Sequence, residues 1–242
     1  MRPLAVGYRA VGMALLLWCS AYSQTTSKEL PFFSSHAVYI YLGSAASSPD
    51  GKNVVSLRVL DDDAENFPSL VKVKTPHGQI TSKIAFGLNA QVLWNADSTG
   101  FAVTGSSEGA NGQYHTSVFS LRNGQLVQTP LTRTVESAFG HPMKCGWPEA
   151  PNVAAVKWLD RRRLLVTAQI INHSNCDCFG TFKGYAVDVL DRSIFRVYDQ
   201  LQVKERFHSD LGPWLQDAND DWVRNPKSCY VAANHPELHH SR

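Results

Sequence analysis

The chain has few charged residues and almost no excess of either sign. Only 18% of its 242 residues are charged, with 23 Lys and Arg against 21 Asp and Glu. Two of the basic residues, Arg2 and Arg9, belong to a segment that we expect to be removed, which leaves the two signs equal. Without a net positive field, we expect no binding to nucleic acid or to anionic lipid through charge. The 43% of hydrophobic residues excludes a wholly disordered chain.

Long apolar runs are absent from the sequence after its first twenty residues. The run Ala10–Trp18 follows two arginines and precedes the small residues Ala21 and Ser23. This layout is typical of a secretory signal peptide, and the run is shorter than the roughly 20 residues that span a bilayer. We therefore expect residues 1–23 to be removed, no membrane span to remain, and the mature protein to be periplasmic or secreted. A retained anchor and a lipoprotein modified at Cys19 are the alternatives.

Cysteine is scarce, and apart from one residue in the leader the chain has Cys145, Cys176, Cys178 and Cys229. An even number of cysteines in an oxidising compartment favours disulfides, with three pairings open. Because Cys176 and Cys178 are separated by one residue, a bridge between them would be strained, and we expect each to pair with a distant cysteine. A metal site formed by these two with His173 is the alternative, although zinc-binding cysteines are usually spaced more widely.

The sequence also lacks a phosphate-binding glycine loop, and no long helical patterns alternate with its strands. One string, Gly105–Gly109, matches the G-x-S-x-G motif of serine hydrolases and places Ser107 at the nucleophile position. That motif needs a helix after the serine, and residues 110–115 have neither helical periodicity nor helical composition. We expect a surface loop here, with a secreted hydrolase using Ser107 as the alternative.

Two polar clusters are candidates for metal binding. The acidic run Asp61–Asn66 lacks the alternating spacing and the central glycine of a calcium loop. The tail carries His235, His239 and His240, and chain ends of this kind are commonly frayed. We expect neither a metal nor another cofactor, and a metal-binding protein is a further alternative.

What the sequence does contain is a repeat, found in three stretches that align on Asp50, Asp97 and Asp160. In each stretch a polar turn of three residues follows the aspartate, and a short apolar strand begins after it. Each aspartate is expected to hold its turn by accepting backbone amides two residues on. Trp94 and Trp158 precede two of these turns and are expected to pack between sheets.

Each stretch has a second half in which alternating strands flank a turn at Gly78, Gly124 or Arg192. This pattern predicts a hairpin, so that each unit contains four antiparallel strands. The units start 47 and 63 residues apart, and the first spacing is close to the roughly 40–50 residues of a propeller blade. A four-stranded sheet cannot bury its apolar faces alone, so neighbouring units are expected to stack.

The string Ser48-Pro49-Asp50-Gly51-Lys52, followed by an apolar strand and a hairpin, resembles the WD-like repeats of TolB-type periplasmic propellers. The resemblance covers residues 45–198 and implies an all-β fold of blade-like antiparallel sheets, as a partial or small irregular propeller. A β-sandwich built from the same hairpins is the alternative. Closed propellers need about four blades and only three units are found.

The remaining segments are predicted to complete this β domain, which we expect to span residues 24–199. Residues 35–42 are rich in β-branched and aromatic residues, which favour a strand. Residues 200–242 are expected to form an extension with one short helix, pinned to the domain by Cys229. The predicted function is non-catalytic: an exported protein that binds a protein or envelope partner through loops at one end of its sheets.

Overall fold

The computed structural model describes residues 32–41, 44–59, 69–84, 90–106, 112–139, 150–171 and 178–224. These residues form three antiparallel sheets, none of which closes into a barrel within the described part of the chain. The predicted all-β fold class is therefore confirmed. Each sheet contains a meander of four strands in which consecutive strands are neighbours. One of the three sheets has a fifth strand, which comes from earlier in the chain.

The earliest strand, β1 (Val38–Ile40), does not belong to the first sheet. The first sheet contains the next four strands in chain order: β2 (Ala45–Ser47), β3 (Val54–Val59), β4 (Ser69–Thr75) and β5 (Gly78–Ile84). β4 and β5 form the predicted hairpin, in which Thr75 pairs with Gly78.

The second sheet has five strands, because β1 pairs with its first meander strand. The meander strands are β6 (Ala90–Trp94), β7 (Gly100–Ser106), β8 (Tyr114–Arg122) and β9 (Gln125–Pro130). The predicted strand over residues 35–42 is thus present as β1, and it covers an edge of β6 that would otherwise be open. The β8–β9 hairpin turns through Asn123 and Gly124, both at positive φ, as a tight two-residue turn requires.

The third sheet has four strands: β10 (Asn152–Trp158), β11 (Arg163–Gln169), β12 (Phe182–Asp188) and β13 (Ser193–Tyr198). Its last hairpin turns close to Arg192, which adopts a φ of 53°. Register shifts lie between Ala155 and Lys157 in β10 and between Ala186 and Val187 opposite β13.

The sheets stack face to face, because alternate residues of each strand contribute to different apolar clusters. Val55, Val71 and Val73 of the first sheet pack with Val92 and Phe101 of the second. The opposite face of the second sheet packs on the third through a separate cluster that includes Leu93, Val118, Val166 and Tyr185. The second sheet is therefore covered on both faces, as expected for stacked units.

Among the described residues, helices occupy two places. Helix α1 (Thr132–Phe139) follows β9 and buries Val135 and Phe139 in the cluster between the second and third sheets. After β13, the chain forms α2 (Gln200–Phe207), a 3₁₀ turn (His208–Asp210), α3 (Pro213–Gln216) and α4 (Asp221–Arg224). The sequence predicted only one short helix here.

This helical extension covers the outer face of the third sheet. Val203, Leu211 and Leu215 pack with Ala154 and Phe182 in a third apolar cluster. α2 begins with a capping box, in which the Asp199 side chain accepts the Gln202 amide and the Gln202 side chain accepts the Asp199 amide.

Two buried glutamines fasten the extension to the sheet. Gln200 accepts the Phe182 amide at 3.1 Å and donates to the Asp220 carboxylate at 2.7 Å. Gln169 of β11 donates to the Trp214 carbonyl at 3.3 Å. Because both side chains are buried, these bonds fix where the short helices lie.

Candidate functional site

The three aspartate turns lie at one end of the stacked sheets, where the first meander strand of each sheet connects to the second. In every turn the carboxylate accepts the backbone amide two residues on, at 3.1 Å for Asp50, 3.2 Å for Asp97 and 2.8 Å for Asp160. A carboxylate used in this way replaces a backbone partner and rigidifies the turn. The turns therefore form a set of similar, pre-organised surface elements.

Neighbouring turns are joined to each other. The Asp50 amide donates to the Ser98 hydroxyl at 3.2 Å, which links the first turn to the second. The Asp97 carboxylate accepts the Arg161 guanidinium at 3.0 Å, which links the second turn to the third. The end surface of the sheets is thus one connected layer.

The two tryptophans repeat one inter-sheet bond. Trp94 Nε1 donates to the Ala46 carbonyl at 3.4 Å, and Trp158 Nε1 donates to the Leu93 carbonyl at 3.0 Å. Both acceptors lie four residues before the turn aspartate of the preceding unit. Both indoles are partly buried against the apolar clusters between sheets.

A groove of about 120 Å³ opens at this end between the second and third sheets. Trp158 lines it on the apolar side, and Arg122, Arg161 and Arg162 line it on the charged side. Arg161 is paired with Asp97, whereas no described residue forms an ion pair or hydrogen bond with the guanidinium of Arg122. A guanidinium in this position is able to donate hydrogen bonds to a carboxylate or carbonyl oxygen.

The third arginine of the groove is held by two carboxylates. Arg162 contacts Asp188 at 2.7 Å and Asp191 at 2.8 Å. The hydrogen bond from Arg162 lowers the pKa of Asp188, and Asp188 in turn raises the pKa of Arg162. Because both carboxylates bind this one guanidinium, Arg162 is already occupied within the protein and forms part of the groove wall.

A second polar cluster, which no sequence pattern indicated, joins the two ends of the described chain. Asp210 lies between His36, whose Nε2 is 2.6 Å from its carboxylate, and Lys157, whose Nζ is 2.9 Å away. Burial alone would raise the pKa of the Asp210 carboxyl, but the hydrogen bonds from Lys157 and His36 outweigh it and lower that pKa. His36 and Asp210 are 174 residues apart, so local sequence carries no signal of their contact.

The hydrolase candidate, Ser107, lies outside the described residues. The strands on either side of it are described: β7 ends at Ser106, β8 begins at Tyr114, and the two are paired antiparallel. The G-x-S-x-G string therefore lies at a connection between two hydrogen-bonded strands. A nucleophile elbow instead joins a strand to a helix.

Among the cysteines, Cys145, Cys176 and Cys229 lie outside the described residues. Cys178 is buried, has a φ of 60°, and is disulfide-bonded. Its partner falls outside the described part of the chain, so the pairing stays a prediction. A sulfur in a disulfide offers no thiolate to a metal.

The other metal candidates, the run Asp61–Asn66 and the histidines of the tail, also fall outside the described residues. In the segments that the structure describes, no three His, Cys, Asp or Glu side chains come close enough together to hold a metal ion. In the same segments no helix has the length and apolar character needed to cross a membrane.

The chain was compared with known proteins. No protein-family model matches it, and no curated protein matches it.

Proposed function

We propose that this protein is an exported, non-catalytic, β-propeller-like module that binds a protein or envelope partner through the turns at one end of its sheets. The observation that carries the proposal is the connected layer formed by the turns of Asp50, Asp97 and Asp160. Rigid turns on a packed scaffold present side chains in fixed positions, which reduces the entropy cost of binding.

The architecture supports the resemblance to TolB-type repeats. Each unit is a meander of four consecutive strands with its aspartate turn between the first and second. The indoles of Trp94 and Trp158 make the same bond to the preceding unit. A repeated bond between repeated units is what a blade arrangement needs.

The groove beside Trp158 is a recess of this layer that suits a partner side chain. It combines an indole with the guanidinium of Arg122, which has no ion-pair partner in the described part of the chain. Aromatic and arginine side chains supply a large share of the binding energy in protein interfaces. An acidic or amide side chain that packs on the indole and accepts a bond from Arg122 fits this chemistry.

Site-specific photo-crosslinking in the source organism tests the proposal. A photoreactive amino acid replaces Ser120 or Leu190, which both line the groove, and in a matched control it replaces the exposed Glu205 of α2. We expect one discrete crosslinked partner at both groove positions and none at the control position. The absence of a crosslink at the groove, or the same adduct at all three positions, contradicts the proposal.

Two further measurements address export and catalysis. N-terminal sequencing of the mature protein is expected to begin at Gln24. A protein isolated from cells that still begins at Met1 contradicts export. A fluorophosphonate probe is expected not to label the purified protein. Labelling that is lost in Ser107→Ala would replace the proposed function with that of a hydrolase.

A further inference from the structure

The two outer faces of the stack, one on the first sheet and one on the third, differ in what covers them. The outer face of the third sheet is covered by the helical extension, with Val203, Leu211 and Leu215 buried against it. On the outer face of the first sheet, Arg58, Lys74 and Lys83 are exposed and Lys72 is half-buried. This second surface, the outer face of β3, β4 and β5, is called the basic face below.

Strand register places the charges of the basic face. Arg58, Leu70 and Lys83 are directly opposite one another on three adjacent strands, and Lys72 and Lys74 alternate along the central strand. Neighbours on one face of a sheet lie about 5 Å apart across strands and about 7 Å apart along a strand. Four cations therefore stand on one flat surface, and no described residue of that face is acidic.

None of these four cations has an ion-pair or hydrogen-bond partner among the described residues. In the turn layer, by comparison, Arg161 contacts Asp97 and Arg162 contacts Asp188. The distinguishing property of the basic face is therefore that four such cations lie together with no acidic residue of the described chain among them.

The repeat shows that this face is not built to receive another apolar sheet. In the second and third units, the last residue of the first meander strand is a tryptophan, Trp94 or Trp158, which bonds to the preceding sheet. The last residue of the corresponding strand in the first unit is Ser47, which is exposed. A small polar residue replaces the tryptophan at the position that would contact a preceding sheet.

We propose that the basic face is a docking surface for an acidic protein surface, separate from the turn layer proposed above. Half-buried Leu70 and Val54 lie among the cations and give apolar contact that a protein can use. Carboxylates on a partner strand would match the 5–7 Å spacing of the cations. Pairing of two copies through this face would set like charges opposite one another, which disfavours a symmetric dimer.

Charge reversal tests the docking surface. Lys72→Glu combined with Lys74→Glu changes the basic face. The matched control, Arg133→Glu combined with Arg192→Glu, makes the same change of net charge at exposed positions elsewhere. Thermal unfolding first establishes that both variants fold. Binding to immobilised poly-L-glutamate is then measured for the full mature chain at low and high salt.

We expect the basic-face variant to bind poly-L-glutamate about tenfold or more weakly than the wild type, and the control to bind within about twofold of it. Raising the salt from about 0.05 to 0.5 M should weaken wild-type binding. Equal loss in both variants, or no wild-type binding at low salt, overturns the proposal. So does tighter binding to duplex DNA or to phosphatidylglycerol-containing vesicles that the basic-face variant alone loses.

Discussion

Gly184 of β12 lies directly against Val203 of α2. A Cβ atom placed on Gly184 would come within 2.5 Å of Val203 Cγ2 and within 3.4 Å of Leu165 Cδ1. The absence of a side chain at this one position therefore lets α2 lie close to the third sheet.

Gly184→Ala is expected to destabilise the protein by about 2 kcal/mol, because α2 must shift away from the sheet to admit the methyl group. Urea unfolding measures the change. Val203→Ala removes the clashing atom, so the double variant should lose less stability than the two single variants added together. Additive losses would show that the contact does not limit the approach of α2.

Arg192→Gly is expected to stabilise the protein by about 0.5–1 kcal/mol. Arg192 has a φ of 53° in the β12–β13 hairpin, a conformation that is costly for every residue with a Cβ and free for glycine. Denaturant unfolding is the measurement. The control Arg196→Gly, within β13, should be destabilising. If both variants stabilise the protein, the cause is the loss of an arginine charge and not the φ of Arg192.

Asp210→Asn is expected to lower stability at pH 7 by about 2 kcal/mol, because the buried carboxylate loses its charge-assisted bonds with Lys157 and His36. The folded-state pKa of Asp210 lies below its ordinary value of 3.8. Its ionisation therefore stabilises the fold fully above that ordinary value, and this stabilisation is lost as the pH falls through the folded-state pKa.

The difference in stability between wild type and Asp210→Asn should accordingly be constant at neutral pH and narrow below about pH 4. Unfolding curves across pH 2–7 measure it. Asp217→Asn, an exposed change in the same extension, serves as the control and should leave the curves nearly superimposed. A difference for Asp210→Asn that does not depend on pH would show that its charge does not contribute.

Trp158→Phe is expected to cost about 1–2 kcal/mol, since it removes the indole bond to the Leu93 carbonyl and some buried area. Trp94→Phe should cost less, because its bond to the Ala46 carbonyl is longer, at 3.4 Å against 3.0 Å. Both losses are measured by denaturant unfolding. A larger loss of stability for Trp94→Phe would show that the indole hydrogen bonds do not determine the two losses.

Local chemistry made much of the β fold predictable. An aspartate that accepts an amide two residues on needs only its own turn, so the geometry at Asp50, Asp97 and Asp160 follows from short sequence. The Asn123-Gly124 pair specifies its hairpin by the same kind of local preference. Alternation of apolar residues then gives each strand two faces and makes stacking necessary.

Helix α1, the number of short helices after β13, and the polar links escaped prediction because distant contacts create them. Helix α1 has eight residues and buries only Val135 and Phe139, which is too short a pattern to recognise. The helices that start at Pro213 and Asp221 have four residues each, and bonds from buried glutamines locate them. Arg122 is unremarkable in sequence, and it lines a groove only because two sheets meet beside it.

The recurring indole-to-carbonyl bond affects whether whole units can be duplicated or deleted in the gene. Both junctions use the same donor and the same acceptor offset, so an in-frame duplication or deletion of one whole unit between them would recreate a compatible junction. A further unit could not be added on the outer face of the third sheet, because the helical extension already covers that face. Variation in unit number is therefore expected upstream of the third sheet and not downstream of it.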